Sequence, residues 1–355
     1  MNKTNLLGLN QSNLNHFFFE LGEKSYRSKQ LMQWVYHKDV IDFNEMSNLS
    51  ANLRDKLDSI ASFNLPLIKT QSMASDGVIK WVLSLDEDSH IEMVYIPENQ
   101  RGTLCISSQV GCALDCSFCS TGKQGFNRNL STAEIMSQLM IAKLHLNSTN
   151  QRITNVVFMG MGEPLLNEKS VYESCDLLLD DMAYGLSRRK VTISTSGVVP
   201  AIYRMCDSTN VSLAISLHAS DNDLRDELVP INQKYPINEL MEACHHFINS
   251  GSQERHVLFE YVMLDGVNDS ETQAKALAKL LKNISAKVNL IPFNPFPNTQ
   301  YKTSNRSTIE KFQDILYSSG IRTMTRRTRG DDVDAACGQL VGKVKDKSKR
   351  SLRDA

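Results

Sequence analysis

Cys112, Cys116 and Cys119 stand within eight residues, in Gly111-Cys-Ala-Leu-Asp-Cys-Ser-Phe-Cys-Ser-Thr-Gly122. Three thiolates at this spacing can converge on one metal centre. A structural zinc site closes with four protein ligands, and the one further Cys or His nearby in sequence is Cys105. Three thiolates without a fourth ligand suit an iron–sulfur cluster, with three irons held by protein and one left open to bind and activate a substrate. A second stretch, Gly160-Met161-Gly162-Glu163-Pro164, follows a β-branched run. Glycines there let the backbone approach a ligand closely, and the carboxylate can accept bonds from an ammonium group. Taken alone, the stretch reads equally well as a turn with a solvated glutamate.

The elements that must carry these residues show in the hydrophobic periodicity. Leu31, Trp34 and Val35, then Met46, Leu49, Leu53, Leu57 and Ile60, recur at helical spacing, so the first 70 residues read as mostly helical. Ile79, Trp81, Leu83 and Leu85 alternate with Val78, Lys80, Val82 and Ser84, and a polar turn at Asp86–Ser89 leads to Ile91, Met93 and Tyr95. That pattern is a β-hairpin, with Glu92 on the face opposite Met93, either solvated or aimed into a site. Seven strands are expected next: Thr103–Ser107, Thr154–Met159, Lys190–Thr195, Val211–Ser216, His256–Met263, Lys287–Pro292 and Ile321–Arg326. Helices alternate with them, and Ser131–Glu134 and Ser307–Glu310 read as capping boxes. The pattern predicts an α/β fold with six or seven βα units in a partial or full barrel, with its site at the carboxyl ends of the strands. The expected segments are a helical accessory module at 1–72, a β-hairpin extension at 73–101, the barrel at 102–300 and a helix–strand extension at 301–355.

Composition bounds the rest. With 355 residues, 41% apolar and 22% charged, the chain can bury a large core and is neither disordered nor a disulfide scaffold. No stretch is long and apolar enough for a membrane helix or a signal peptide, so a cytoplasmic protein with reduced thiols is expected. Lys and Arg number 39 against 40 Asp and Glu, yet the end is locally basic: Arg322, Arg326, Arg327 and Arg329, then Lys343, Lys345, Lys347, Lys349, Arg350 and Arg353. These residues are either a surface for RNA phosphates or a solvated charged terminus.

The spacing Cys-x3-Cys-x-aromatic-Cys, with Phe118 in the aromatic slot, resembles the signature of the radical S-adenosylmethionine (SAM) superfamily. Gly160–Glu163 resembles its glycine-rich strand end. Further motifs narrow the likeness: Ser108–Cys112, Gln124–Leu130, Gly160–Asn167, Ser194–Pro200, Ser216–His218, Ile291–Pro295 and Arg329–Leu340. Together, over nearly the whole chain, they resemble the RNA adenine methyltransferases of the RlmN/Cfr group.

The resemblance implies a (β/α)6 radical-SAM partial barrel that methylates an adenine ring carbon, C2, in 23S rRNA and in certain tRNAs. It implies one 4Fe-4S cluster on Cys112, Cys116 and Cys119, two SAM per turnover, a flavodoxin-like one-electron reductant, and action as a monomer. SAM contacts carry over to Gly162, Glu163, Ser194, Ser216, Leu217, His218 and Asn294. An electrophilic amidine carbon cannot displace a methyl group from a sulfonium, so the methyl is first parked on a thiolate. Cys337 matches that methyl-accepting cysteine, Cys105 the resolving thiol and Glu92 the general base. Alone, Cys105 reads as a buried strand residue, Glu92 as a surface charge and His218 as a core histidine. Cys175, Cys206 and Cys244 read as core. The alternatives are a C8-specific methyltransferase, a glycyl-radical activase and a non-enzymatic iron–sulfur RNA-binding protein.

Overall fold

In the computed structural model, residues 3–149, 151–251 and 255–347 are described. Ten strands form one sheet: β1 (Leu67–Met73), β2 (Ile79–Asp86), β3 (Ser89–Glu98), β4 (Arg101–Cys105), β5 (Asn155–Phe158), β6 (Val191–Thr195), β7 (Ser212–Ser216), β8 (Val257–Met263), β9 (Ala286–Pro292) and β10 (Arg322–Thr325). They stand side by side in chain order. β1 to β4 pair antiparallel as a meander, and β4 to β10 pair parallel throughout. The order is linear, so the barrel stays open.

The parallel strands carry Val156, Ile193, Leu213, Ile215, Phe259 and Leu290, all essentially inaccessible. Strands covered on both faces need apolar, β-branched runs, which is why all seven are legible in the sequence. Six crossovers carry helices: α1 (Thr132–Leu146), α2 (Glu168–Leu179), α3 (Val199–Ser208), α4 (Ile237–Asn249), α5 (Glu271–Leu281) and α6 (Arg306–Ser318). Ser131 and Glu134 form the expected capping box of α1, with amide bonds of 3.3 and 2.8 Å.

The expected capping box at Ser307–Glu310 is corrected. Asn305 caps α6, its Oδ1 accepting from the Thr308 amide at 3.0 Å. Asn is as good an N-cap as Ser and is reached two residues sooner. Ser307 instead donates to Asn305, and Glu310 pairs with Arg306 at 2.7 Å. β1 also falls inside the stretch read as helical. It is a sheet edge, with Leu67, Ile68 and Met73 exposed, so no period-2 burial marks it.

Helices Gln11–Glu20, Tyr26–Met32 and Ala51–Ile60 form the amino-terminal module. It docks on α1 and α2: a Cβ at Gly8 would meet the Ala133 amide at 2.6 Å, Lys143 donates to Tyr36 O at 2.6 Å, and Asn10 donates to Asp176 at 3.2 Å.

After β10 the chain returns across the carboxyl ends of the strands as a strap. Arg329 pairs with Asp76, Ser120 N–H donates to Gly338 O, and Thr121 Oγ1 donates to Leu340 O. Val341 N–H reaches Glu92, and Val344 bridges to Ser89.

Candidate active site

Two adjoining cavities open at the carboxyl ends of the parallel strands. The larger, about 760 Å³, is lined by Gly162, Glu163, Ser194, Ser216, His218 and Asn294, six of the seven residues read as SAM contacts. Leu217 is fully buried beneath it, its amide donating to Glu260 O at 3.0 Å. The second cavity, about 680 Å³, is lined by both Cys105 and Cys337. Cys119 and Cys337 border both spaces.

Each side chain is held by its element. Glu163 is buried at the end of β5, with its Oε1 accepting from Leu165 N–H at 3.1 Å and its Oε2 from Ser196 N–H at 2.8 Å. Its own amide donates to Gln109 at 2.9 Å. The turn before it needs glycine: Gly162 has φ +102°, and a Cβ there would lie 2.5 Å from the Gln109 Cβ. Burial raises the Glu163 carboxyl above its ordinary value, and the Ser196 amide is the first influence opposing it. His218 takes up Val262 N–H on Nδ1 at 3.0 Å, so its remaining proton sits on Nε2. Its ring meets Phe118 edge to face at 4.5 Å, and burial, then Arg225, pulls its pKa down to about 3. The imidazole is neutral.

Cys112, Cys116 and Cys119 follow β4 on one loop, all half-buried and without disulfides. Burial raises Cys112, and Cys116, Cys119 and Glu163 then add to the shift; Cys116 feels Cys119, Glu163 and Arg225. The loop therefore faces the Glu163 strand end. Among the described residues no three His, Cys, Asp or Glu side chains are close enough to share one metal ion. Thiolates on a cluster each take a different iron, so this donor set fits a cluster better than zinc. Cys105 shares its cavity with Cys337 and Cys119, but among the described residues no closed four-cysteine zinc site is formed.

Cys105 ends β4, and burial, with Cys337 next, pushes its pKa up to about 12. Burial also raises Cys337, opposed chiefly by the positive charge of Arg326. Asn294 donates to Cys337 O at 3.2 Å and accepts from Thr328 at 3.2 Å, so it fixes the strap as well as lining the cavity. Glu92 is buried, not a surface charge: its Oε2 accepts from Val341 N–H at 3.0 Å, and Lys80 stands 3.7 Å from its Oε1. It lines neither cavity itself. Val94 and Ile96, on the same face of β3, line the cysteine cavity. Burial raises its carboxyl and Lys80 opposes this. Cys175 and Cys244 are buried as expected, and Cys206 is half-buried.

Several working residues gave no sequence signal. Arg225 is wholly buried and donates to Leu217 O at 3.0 Å, Ser196 O at 2.7 Å, Ser216 O at 3.2 Å and Asn232 at 2.8 Å, tying the ends of β6 and β7. Its segment, Asp221–Leu228, reads as an ordinary charged helix. Glu260, buried on β8, accepts from Ser194 Oγ at 3.2 Å and lines the larger cavity. The basic stretch is partly spent on contacts within the chain: Arg326 faces Cys337, Arg329 pairs with Asp76, and at the surface Lys343 and Lys345 lie 3.8 and 3.6 Å from Asp88. Lys349, Arg350 and Arg353 lie outside the described residues.

An open parallel barrel with this cysteine loop and glycine-rich strand end defines a radical SAM protein, and residues 106–277 match the Radical SAM superfamily. Residues 4–63 match the family described as the ribosomal RNA large subunit methyltransferase N-terminal domain. A solved radical SAM methyltransferase from Sphaerobacter thermophilus superposes with a TM-score of 0.90 at 38% identity, covering 95% of this chain and 99% of that one. Dual-specificity RNA methyltransferases RlmN are 67% identical over 99% of this chain and 98% of the relative in Vesicomyosocius okutanii, and 66% identical over 99% of each in Ruthia magnifica. The chain belongs to the RlmN family.

Proposed function

We propose that this chain methylates C2 of adenine in 23S rRNA and in certain tRNAs, through a methyl group carried on Cys337. C2 is the position that fits the RlmN family. The observation that carries the reading is the shared wall: Cys337 borders both the cavity of the SAM-contact candidates and the cavity holding Cys105. A sulfur there can collect a methyl group on one side and deliver carbon on the other.

The residues divide the work. Cys112, Cys116 and Cys119 hold the cluster; Glu163, with Gly162, Ser194, Ser216, Leu217, His218 and Asn294, holds SAM. When bound, the cluster and SAM would supply one-electron, hydrogen-abstracting chemistry beside Cys337. The Cys337 sulfur, as thiolate, takes a methyl group from a first SAM, and its S-methyl gives up a hydrogen atom in the presence of a second. The methylene carbon then bonds to the adenine, and the ring radical so formed gives up one electron, which the bound cluster would take back, before the ring rearomatises. Glu92 takes the ring-carbon proton, a task suited to a carboxylate whose pKa is raised by burial. Cys105 attacks the Cys337 sulfur, which frees the product and leaves a disulfide that an external reductant reopens. Residues 1–72 serve as the RNA-handling module, 73–101 carry the base, 102–300 hold cluster and SAM, and 301–355 carry the methyl. The chain acts as a cytoplasmic monomer.

Anaerobically reconstituted protein, SAM and rRNA fragments test the reading by nucleoside mass spectrometry. Methyladenine should form, and Cys105→Ala should accumulate a covalent protein–RNA adduct. Free methylated RNA from that variant removes Cys105 from the resolving role. A methyl group transferred with all three original hydrogens refutes the radical route.

A further inference from the structure

Arg326 stands at the end of β10, where its N–H donates to Leu290 O at 2.8 Å and carries the pairing with β9 one residue further. That places its side chain in the wall of the cysteine cavity. There the guanidinium and the Cys337 side chain line the same cavity, and Cys337, Glu260, Cys105 and Glu98 act on the cation. Two thiols and two carboxylates act on one half-buried charge. Arg327 and Arg329 border the same cavity, but Arg327 is exposed and Arg329 is paired with Asp76, and of the arginines Arg326 is the one that acts on Cys337. An Arg fork in a low-dielectric wall makes a strong bond to a sulfur anion and a weak one to a neutral sulfur.

We propose that Arg326 is a positioning residue that holds the Cys337 sulfur in place for methyl uptake and lets it go once it is methylated. The inference rests on Cys337 being the methyl acceptor. In that step the Cys337 proton leaves to water and a sulfur lone pair forms the new S–CH3 bond. The methyl–sulfonium bond breaks, and its electron pair stays on the donor's sulfur. The product is a neutral thioether, a weak acceptor. The bond that drew the sulfur to the wall is therefore lost at the moment the carbon must move toward the RNA. Glu260 keeps the guanidinium in a fixed field and, through Ser194, links it to the SAM cavity.

The test uses the full chain as wild type, Arg326→Gln and Arg326→Lys. In cluster-free protein, iodoacetamide modification of Cys337 is followed by peptide mass spectrometry, with Cys206 as internal reference. A lost charged hydrogen bond predicts modification about tenfold to a hundredfold slower in the Gln variant, with partial rescue by Lys. Misfolding would expose the sulfur and speed its modification, the opposite direction. In cluster-loaded protein, the rate of methyl appearance on Cys337 should fall in the same order. Equal modification of Cys337 in wild type and the Gln variant overturns the inference. Wild-type protein that never carries methyl on Cys337 overturns the methyl-carrier reading instead, whatever the alkylation rates.

Discussion

Cys105 should be nearly inert in the resting protein, although the proposed cycle ends with its attack on Cys337. Burial is the chief cause, Cys337 the second, and Arg326 with the hydrogen bond at Met159 offsets only part, leaving the thiol at about 12 against an ordinary 9.0. At about pH 8 a thiol of ordinary value is roughly one-tenth ionised, and one at 12 is ionised to about one part in ten thousand. The reactive form is thus about a thousandfold scarcer. The assay is iodoacetamide modification of cluster-free protein between about pH 7 and pH 10, read by peptide mass spectrometry against Cys206. The Cys105 rate should rise tenfold per pH step with no plateau, and near pH 8 should trail an ordinary thiol by about three decades. Replacing Cys337 by Ala removes the second cause and should speed Cys105 only modestly, because burial remains. A plateau near pH 9, or a rate equal to that of Cys206, would refute the reasoning. It would mean that the thiol is solvated and that its chemistry is not gated by the cavity.

Three further outcomes are expected. Glu163→Gln loses one of the two acceptor oxygens now bonded by Leu165 and Ser196 amides, and the SAM dissociation constant, measured by equilibrium dialysis, should rise about tenfold to a hundredfold. His218, held near 3 against an ordinary 6.5, favours the fold while neutral. The cost of protonating the unfolded chain while the folded ring stays neutral, on the order of 5 kcal/mol, is absent above about pH 6.5 and builds as pH falls toward 3. Urea midpoints should therefore drop with acid in the wild type and flatten in His218→Gln; identical acid limbs would refute it. Cys112→Ser, Cys116→Ser and Cys119→Ser should each abolish iron content and visible absorbance while leaving the melting temperature of iron-free protein within a few degrees, since all three thiols are only half-buried.

The sequence shows whatever repeats at a fixed step. Parallel strands covered on both faces must be apolar runs, and cysteines that grip one cluster must be spaced along one loop, so both are visible in one dimension. β1 is not, because an edge strand with Leu67 and Ile68 exposed has no buried face to print a period. Arg225 and Glu260 are invisible for a different reason. Their partners are backbone carbonyls at Leu217 and Ser196 and a hydroxyl at Ser194, brought to them only when β6, β7 and β8 lie side by side.

The same distinction decides the basic stretch. Charge counted along the chain assigns Arg326, Arg329, Lys343 and Lys345 to one surface, but the return of the strap over the barrel separates them. Arg329 and the lysines bind the meander through Asp76 and Asp88 and so hold the strap down on either side of Cys337. Arg326 belongs to the strand beneath it. Between those anchors, Asn294 grips the Cys337 carbonyl and Val341 grips Glu92. Glu92, Cys337 and the cavity bordered by Asn294 are therefore joined by side-chain hydrogen bonds to the backbone of the strap. Their relative placement depends on the strap's anchors, two of which are the Glu92 and Asn294 side chains themselves.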